Sequence, residues 1–114
     1  MQIRDRPPVG GITRLALKGR LDPTTVGELD AWIGRVIAVG AKKVLLDLEE
    51  LEYVSSAGLR VLLQAAKKIG VAGGRLLLCE PQRSVKQVLD IAGFSSMMAV
   101  FDTEAEALEQ EGER

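Results

Sequence analysis

Two adjacent hydroxyls, Ser55 and Ser56, stand where a buried strand gives way to a helix. That place has chemical meaning. The first N–H groups of a helix lack intrahelical acceptors, and the aligned peptide dipoles make that end positive. Three roles compete for the pair. Ser55 can be an N-cap with Ser56 in the first turn. One of them can be a nucleophile. Or one can be a hydroxyl that another protein phosphorylates. The nucleophile lacks its equipment: the chain has no histidine to take the proton. Val54 occupies the position of the first glycine in a Gly-x-Ser-x-Gly elbow. Gly58 and Leu59 stand three residues after Ser55 and Ser56, where a Ser-x-x-Lys pair needs lysine. A phosphate carries a charge of about −1.5 to −2. At a helix N-terminus the fold tolerates it, and its effect falls on whatever docks there.

The remaining reactive residues are sparse. Cys79 is the single cysteine, which rules out an internal disulfide and, with no histidine, the usual zinc sites. It reads as a small core hydrophobe rather than a redox centre. Glu49, Glu50 and Glu52 offer hard oxygen ligands for a divalent cation. They lack regular ligand spacing and read as a solvated turn. Ala72-Gly73-Gly74 is a flexible turn without the phosphate-loop pattern. No resident cofactor or metal is expected.

The 114 residues carry 15 basic and 16 acidic side chains, a net charge of −1, which is not the basic footprint of a nucleic-acid binder. Lys42-Lys43 and Lys67-Lys68 read as solvated surface. No apolar run approaches the roughly 18 residues of a membrane span, so no membrane insertion is expected. The opening MQIRDRPPVGG has no apolar signal core. The expected location is the cytoplasm.

The elements that must position the two serines follow from periodicity and caps. Gln2 to Arg6 is a short mixed segment, Pro7-Pro8 and Gly10-Gly11 make a turn, and Ile12 to Lys18 alternates as a half-buried strand closed by Gly19. Asp22 is expected to cap a helix with Pro23 at its first position. Val26, Leu29, Ile33, Val36 and Ile37 give its stripe, Trp32 packs beside them, and Gly40 stops it. Val44 to Leu48 suits a strand buried on both faces. The helix opened by Ser55-Ser56 carries Leu59, Leu62, Leu63, Ala66 and Ile69 and ends at Gly70. Arg75 to Cys79 is another buried strand. Ser84 is expected to cap a third helix with Val85, Val88, Leu89 and Ala92 inward and Gly93 after its end. Met98 to Phe101 is a last strand, with Met97 and Met98 as core filler. Thr103 and Glu106 form a capping box for a final helix through Ala107 and Leu108. Its tail, Glu109, Glu111 and Glu113, is expected to fray. The order β-β-α-β-α-β-α-β-α predicts an α/β fold with a mostly parallel or mixed sheet of about five strands and about four helices. One domain spans 1–114, with no repeat and no linker.

Leu46-Asp47-Leu48-Glu49-Glu50-Leu51 followed by Tyr53-Val54-Ser55-Ser56-Ala57-Gly58-Leu59-Arg60-Val61-Leu62-Leu63 resembles the signature of STAS domains, and more narrowly that of the anti-sigma factor antagonists. The Gly19-Arg20-Leu21-Asp22 turn, the Gly73-Gly74 turn and the Val88-to-Phe94 segment fit the same family. The resemblance implies a bacterial partner-switching protein. Such an antagonist binds an anti-sigma factor that is also a serine kinase, and is released when one loop serine is phosphorylated. A PP2C-type phosphatase restores binding, while ATP and magnesium belong to the kinase.

In the family's Asp-Ser-Ser/Thr-Gly-Leu pattern the phosphorylated serine follows the aspartate. Carried over by position, Ser55 stands at the aspartate, Ser56 at the phosphorylated serine and Ala57 at the next residue. Asp22 matches an acidic residue on the neighbouring loop. Ser55 in place of aspartate removes a charge and leaves a second hydroxyl, so Ser56 is the preferred acceptor and Ser55 the less favoured one. Asp22, Ser55, Ser56, Ala57, Gly58 and Arg60 are the expected partner-binding residues. Gly58 spares a partner from crowding or answers an internal packing need, Leu59 belongs to the core, and Arg60 is exposed. The same departure admits STAS modules that are never phosphorylated, such as adaptor subunits of transport or signalling complexes.

Overall fold

The structure, a computed structural model, describes residues 1–93 and 98–112. It begins with a hairpin, β1 (Gln2–Val9) and β2 (Ile12–Leu21). Gly10 and Gly11 join the strands with φ of 57° and 78°. A two-residue hairpin turn with both φ positive matches the strand twist and favours glycine at both places. Pro7 and Pro8 lie inside β1 rather than in the turn. They sit where the register shifts between Arg6 and Val9 on an edge strand. A bulged edge is where a residue without an N–H costs the ladder least. Likewise Gly19 does not end β2, which runs on to Leu21.

The other elements are α1 (Val26–Ala38), β3 (Lys43–Val54), α2 (Ser56–Val71), β4 (Arg75–Cys79), α3 (Arg83–Ile91), β5 (Ala99–Phe101) and α4 (Glu104–Glu111). The sheet order is β1-β2-β3-β4-β5, antiparallel in the first pair and parallel thereafter. The element order and the mixed five-stranded sheet are those read from periodicity. Phe94, Met97 and Glu113 lie outside the described residues.

Both faces of the central strands are buried. Val44, Leu46 and Leu48 of β3 and Leu76 and Leu78 of β4 pack with Leu29, Trp32 and Ile33 of α1, Leu62 and Ile69 of α2, and Val85 and Leu89 of α3. Leu45, Leu77 and Cys79 turn the other way, toward Phe101 of β5 and Ala107 of α4. Trp32 is core, as expected, and its Nε1 donates to Asp5 Oδ1 at 2.7 Å, tying α1 to the edge strand.

β3 is longer than its apolar run. Its register against β2 slips twice, between Ala16 and Lys18 and between Gly19 and Arg20, each time with one extra residue on β3. A bulge re-aims the side chains after it. Leu48, Leu51 and Val54 therefore all face the core at a spacing of three. Glu49, Glu50 and Glu52 are exposed strand residues, not a turn. Asp47 Oδ1 accepts the Glu49 N–H at 3.0 Å across the first bulge.

The α4 face is held by charge. Arg6 bonds Asp47 (3.0 Å) and Glu104 (3.2 Å), and Arg14 pairs with Glu104. Burial, more than any other influence, pushes the Asp47 carboxyl above its ordinary value, against the Glu49 N–H and Arg6. The acidic tail is anchored at Glu111, which pairs with Arg75 and whose carbonyl accepts from Lys43 at 2.6 Å. Thr103 caps α4 as expected, its hydroxyl accepting the Glu106 N–H at 3.1 Å. α3 begins after Gln82, not Ser84, and only Val85 and Leu89 are buried; Val88 and Ala92 face outward.

Gly34 stands in the middle of α1, where an added Cβ would meet nothing within 4 Å. Gly34→Ala should therefore stabilise the fold by about 1 kcal/mol. Thermal denaturation checks this as a rise in midpoint of about 4–8 °C.

Candidate functional site

The ends of β2 and β3 are paired at Leu21 and Val54, so the loops that follow leave the sheet side by side. Ser55 donates its N–H to the Leu21 carbonyl at 2.9 Å and joins them. Ser55 is the N-cap of α2: its backbone is extended (φ −80°, ψ 174°) and its Oγ accepts the Gly58 N–H at 3.1 Å. Ser56 is the first helical residue and is exposed. The first turn of α2 carries no acidic side chain, so none there offsets the positive end of its dipole.

Gly58 is buried, and the reason lies within the fold. A Cβ there would come within 2.6 Å of the Leu21 carbonyl oxygen and 2.9 Å of Val54 Cγ1. Of the two reasons weighed for this glycine, internal packing is the one the geometry supplies. Leu59 is half-buried against the main core. Arg60 is exposed, and with Ala57 it lines a hollow of about 240 Å³ between α1 and α2, together with Val26, Gly27 and Gln64.

Asp22 does not cap α1, and Pro23 precedes that helix. The N-cap position falls to Thr25, without a side-chain bond to the helix. Asp22 Oδ1 instead accepts from the Thr24 N–H (2.9 Å) and Thr24 Oγ1 (2.6 Å), a local ring that competes with capping. Thr25 Oγ1 donates to the Arg20 carbonyl (2.8 Å) and accepts the Asp22 N–H (2.9 Å). The Thr24 hydroxyl, and after it the Thr24 N–H and the Arg20 charge, hold the Asp22 carboxyl below its ordinary value against partial desolvation.

Sequence reasoning missed two neighbours of this loop. The Arg20 guanidinium stacks 4.2 Å from the Tyr53 ring centre and reaches to 3.8 Å from Asp22. Arg20 and Tyr53 are register partners only because of the second bulge in β3. The signal available was their proximity in sequence to Asp22 and Ser55.

A second polar group lies on the α4 face. Ligand atoms of Asp47, Cys79 and Glu104 lie within 4.8 Å of one another. Both carboxylates are already engaged by arginine. The Cys79 thiol is buried, as expected, and its pKa is raised by burial and the nearby carboxylates. Glu49, Glu50 and Glu52 remain on an exposed strand, with Glu50 3.7 Å from Lys18.

The STAS-domain model matches residues 5–107. The chain belongs to the STAS-domain family. Among its relatives, BtrV of Bordetella bronchiseptica, named an anti-sigma factor antagonist, is 37% identical over 92 residues, covering 81% of this chain and 79% of BtrV. The anti-sigma F factor antagonist of Paenibacillus polymyxa is 29% identical over 99 residues, covering 86% and 85%. The fold is shared with the Bacillus cell fate determinant SpoIIAA in its phosphorylated form, with a TM-score of 0.74, 24% identity and coverage of 96% and 98%. Among the described residues, no helix of this STAS domain is long and apolar enough to cross a membrane.

Three outcomes test this geometry. Gly58→Ala should destabilise the STAS domain by about 1–3 kcal/mol, because the intruding methyl meets backbone that cannot rotate away; chemical denaturation measures it. Thr24→Ala should raise the Asp22 carboxyl toward the ordinary 3.8, followed by NMR titration. The sign is that of a depressed carboxylate: its contribution is present above the unfolded pKa and is lost as pH falls through the folded one. Asp22→Asn should therefore flatten stability against pH below about 4.

Proposed function

We propose that this STAS domain is a cytoplasmic anti-sigma factor antagonist and not an enzyme. It binds a serine-kinase anti-sigma factor through the joined loops around Asp22 and Ser56, and phosphorylation of Ser56 releases it. The observation that carries the reading is the division of labour between the two serines. The Ser55 hydroxyl is committed to the Gly58 N–H, whereas Ser56 is exposed in the first turn of α2. A kinase needs an accessible hydroxyl, and the positive helix end stabilises the phosphate that results. The fold therefore accommodates both states, and the added charge acts on the docked partner. The names of the sequence relatives favour the same role. A PP2C-type phosphatase would return the domain to its binding state.

The test is phosphorylation by the cognate kinase with ATP, the phosphate being located by mass spectrometry. Phosphate on Ser56 and its loss in Ser56→Ala are expected. Phosphate on Ser55 alone, or an undiminished reaction in Ser56→Ala, defeats the assignment. Ser56→Glu should keep the fold and weaken binding to the anti-sigma factor about tenfold or more, a change of ~1.4 kcal/mol. Equal affinity, measured by calorimetry, defeats the electrostatic release.

A further inference from the structure

The hollow beside Ala57 and Arg60 is the upper of two that follow the furrow between α1 and α2. Farther down, a second hollow of about 430 Å³ lies between the same two helices, lined by Gly34, Ile37, Lys67, Lys68 and Val71. Asp30 lines the upper hollow and Lys68 the lower, and their ion pair at 2.8 Å bridges the two helices.

The lower hollow has apolar lining left to water: Ile37 is half-buried and Val71 is 91% exposed. Gly34 lies along it, mid-helix, with no intramolecular neighbour that a methyl would touch. Helix stability is given up there with no packing gain inside the fold. A bare backbone does allow a foreign chain to approach closely.

The charge around the furrow is net positive. Lys67 makes no ion pair among the described residues, Lys68 stands beside it, and Arg60 guards the upper end. Asp30 is the one carboxylate among the lining residues, and Lys68 already neutralises it. This cationic flank belongs to a chain of net charge −1. Its complement is an acidic segment with an apolar stripe, and a helix lays such a stripe into a groove.

We propose that the α1–α2 furrow seats an acidic, apolar-faced helix of the protein that docks at the Ser56 loop; this rests on reading that loop as the partner surface. Ser56 precedes Ala57 at the furrow's upper mouth. A phosphate there repels the same acidic chain that Lys67 and Arg60 attract.

The probe is a synthetic acidic helix of about 18 residues, long enough to fold in part alone, with leucine and alanine on one face and glutamate on the other. A twin carries lysine for glutamate. Amide shifts of the full chain are followed by NMR. The acidic peptide should bind with sub-millimolar half-saturation and move Gly34, Ile37, Lys67, Lys68 and Val71. The lysine twin should bind about tenfold more weakly or worse. Lys67→Glu should weaken the acidic peptide about fivefold. Gly34→Ala should weaken it as well while raising the melting midpoint, so lost binding cannot be ascribed to unfolding. Equal affinity for the two peptides, shifts outside the furrow, or an unchanged Lys67→Glu variant overturns the proposal. So does binding of anionic phospholipid vesicles through these residues without binding of the peptide. Failure of the peptide while the kinase still modifies Ser56 removes the furrow's role alone. Furrow binding without modification of Ser56 removes the switch instead.

Discussion

The backbone hydrogen bond from Ser55 to the Leu21 carbonyl is the joint on which the site depends. It forms because β2 and β3 are parallel and end opposite each other, at Leu21 and Val54. Two chains leaving a sheet at the same edge present free polar groups that must be paired or wetted. Here one loop satisfies the other. The contact is so close that Gly58 has no room for a Cβ. The relation between Asp22 and the serine pair is therefore a property of the joint and belongs to neither loop alone.

What was legible in the sequence is what local chemistry decides. The alternation of strands and helices, the glycine hairpin turn, and the serine and threonine caps of α2 and α4 each depend on a few consecutive residues. The length of β3 was not legible, because two bulges change its inward period from two to three and bury Leu51 among the acidic residues and Val54 beyond them. The role of Asp22 was not legible either. Its carboxylate has two local options, and closing on Thr24 excludes capping α1. Glu111 looked like a loose end because Arg75 and Lys43, its partners, are 36 and 68 residues away.

The candidate site divides in the same way. Ser55 and Ser56 are chemically equal as letters, and only the helix start separates them, engaging one hydroxyl and leaving the other exposed. Gly58 reads equally well as a surface or a packing glycine until the Leu21 carbonyl is placed beside it. Arg20 and Tyr53 become neighbours through a register slip that no periodicity announces.

The two faces of the sheet do different work, and this bears on where a charge can act. On one face three helices are held mainly by apolar contact. On the other, α4 is tied by Arg6, Arg14, Asp47 and Glu104, partly screened from water. The serine loop belongs to the first face's edge, where Arg20 and Asp22 already offset each other. A phosphate placed there meets the positive end of α2, whose first turn carries no acidic side chain. In physiological salt its own field fades within about 8 Å. It can govern only a chain lying close against it, so a switch at Ser56 requires the partner's own charge to sit within about that distance of the loop.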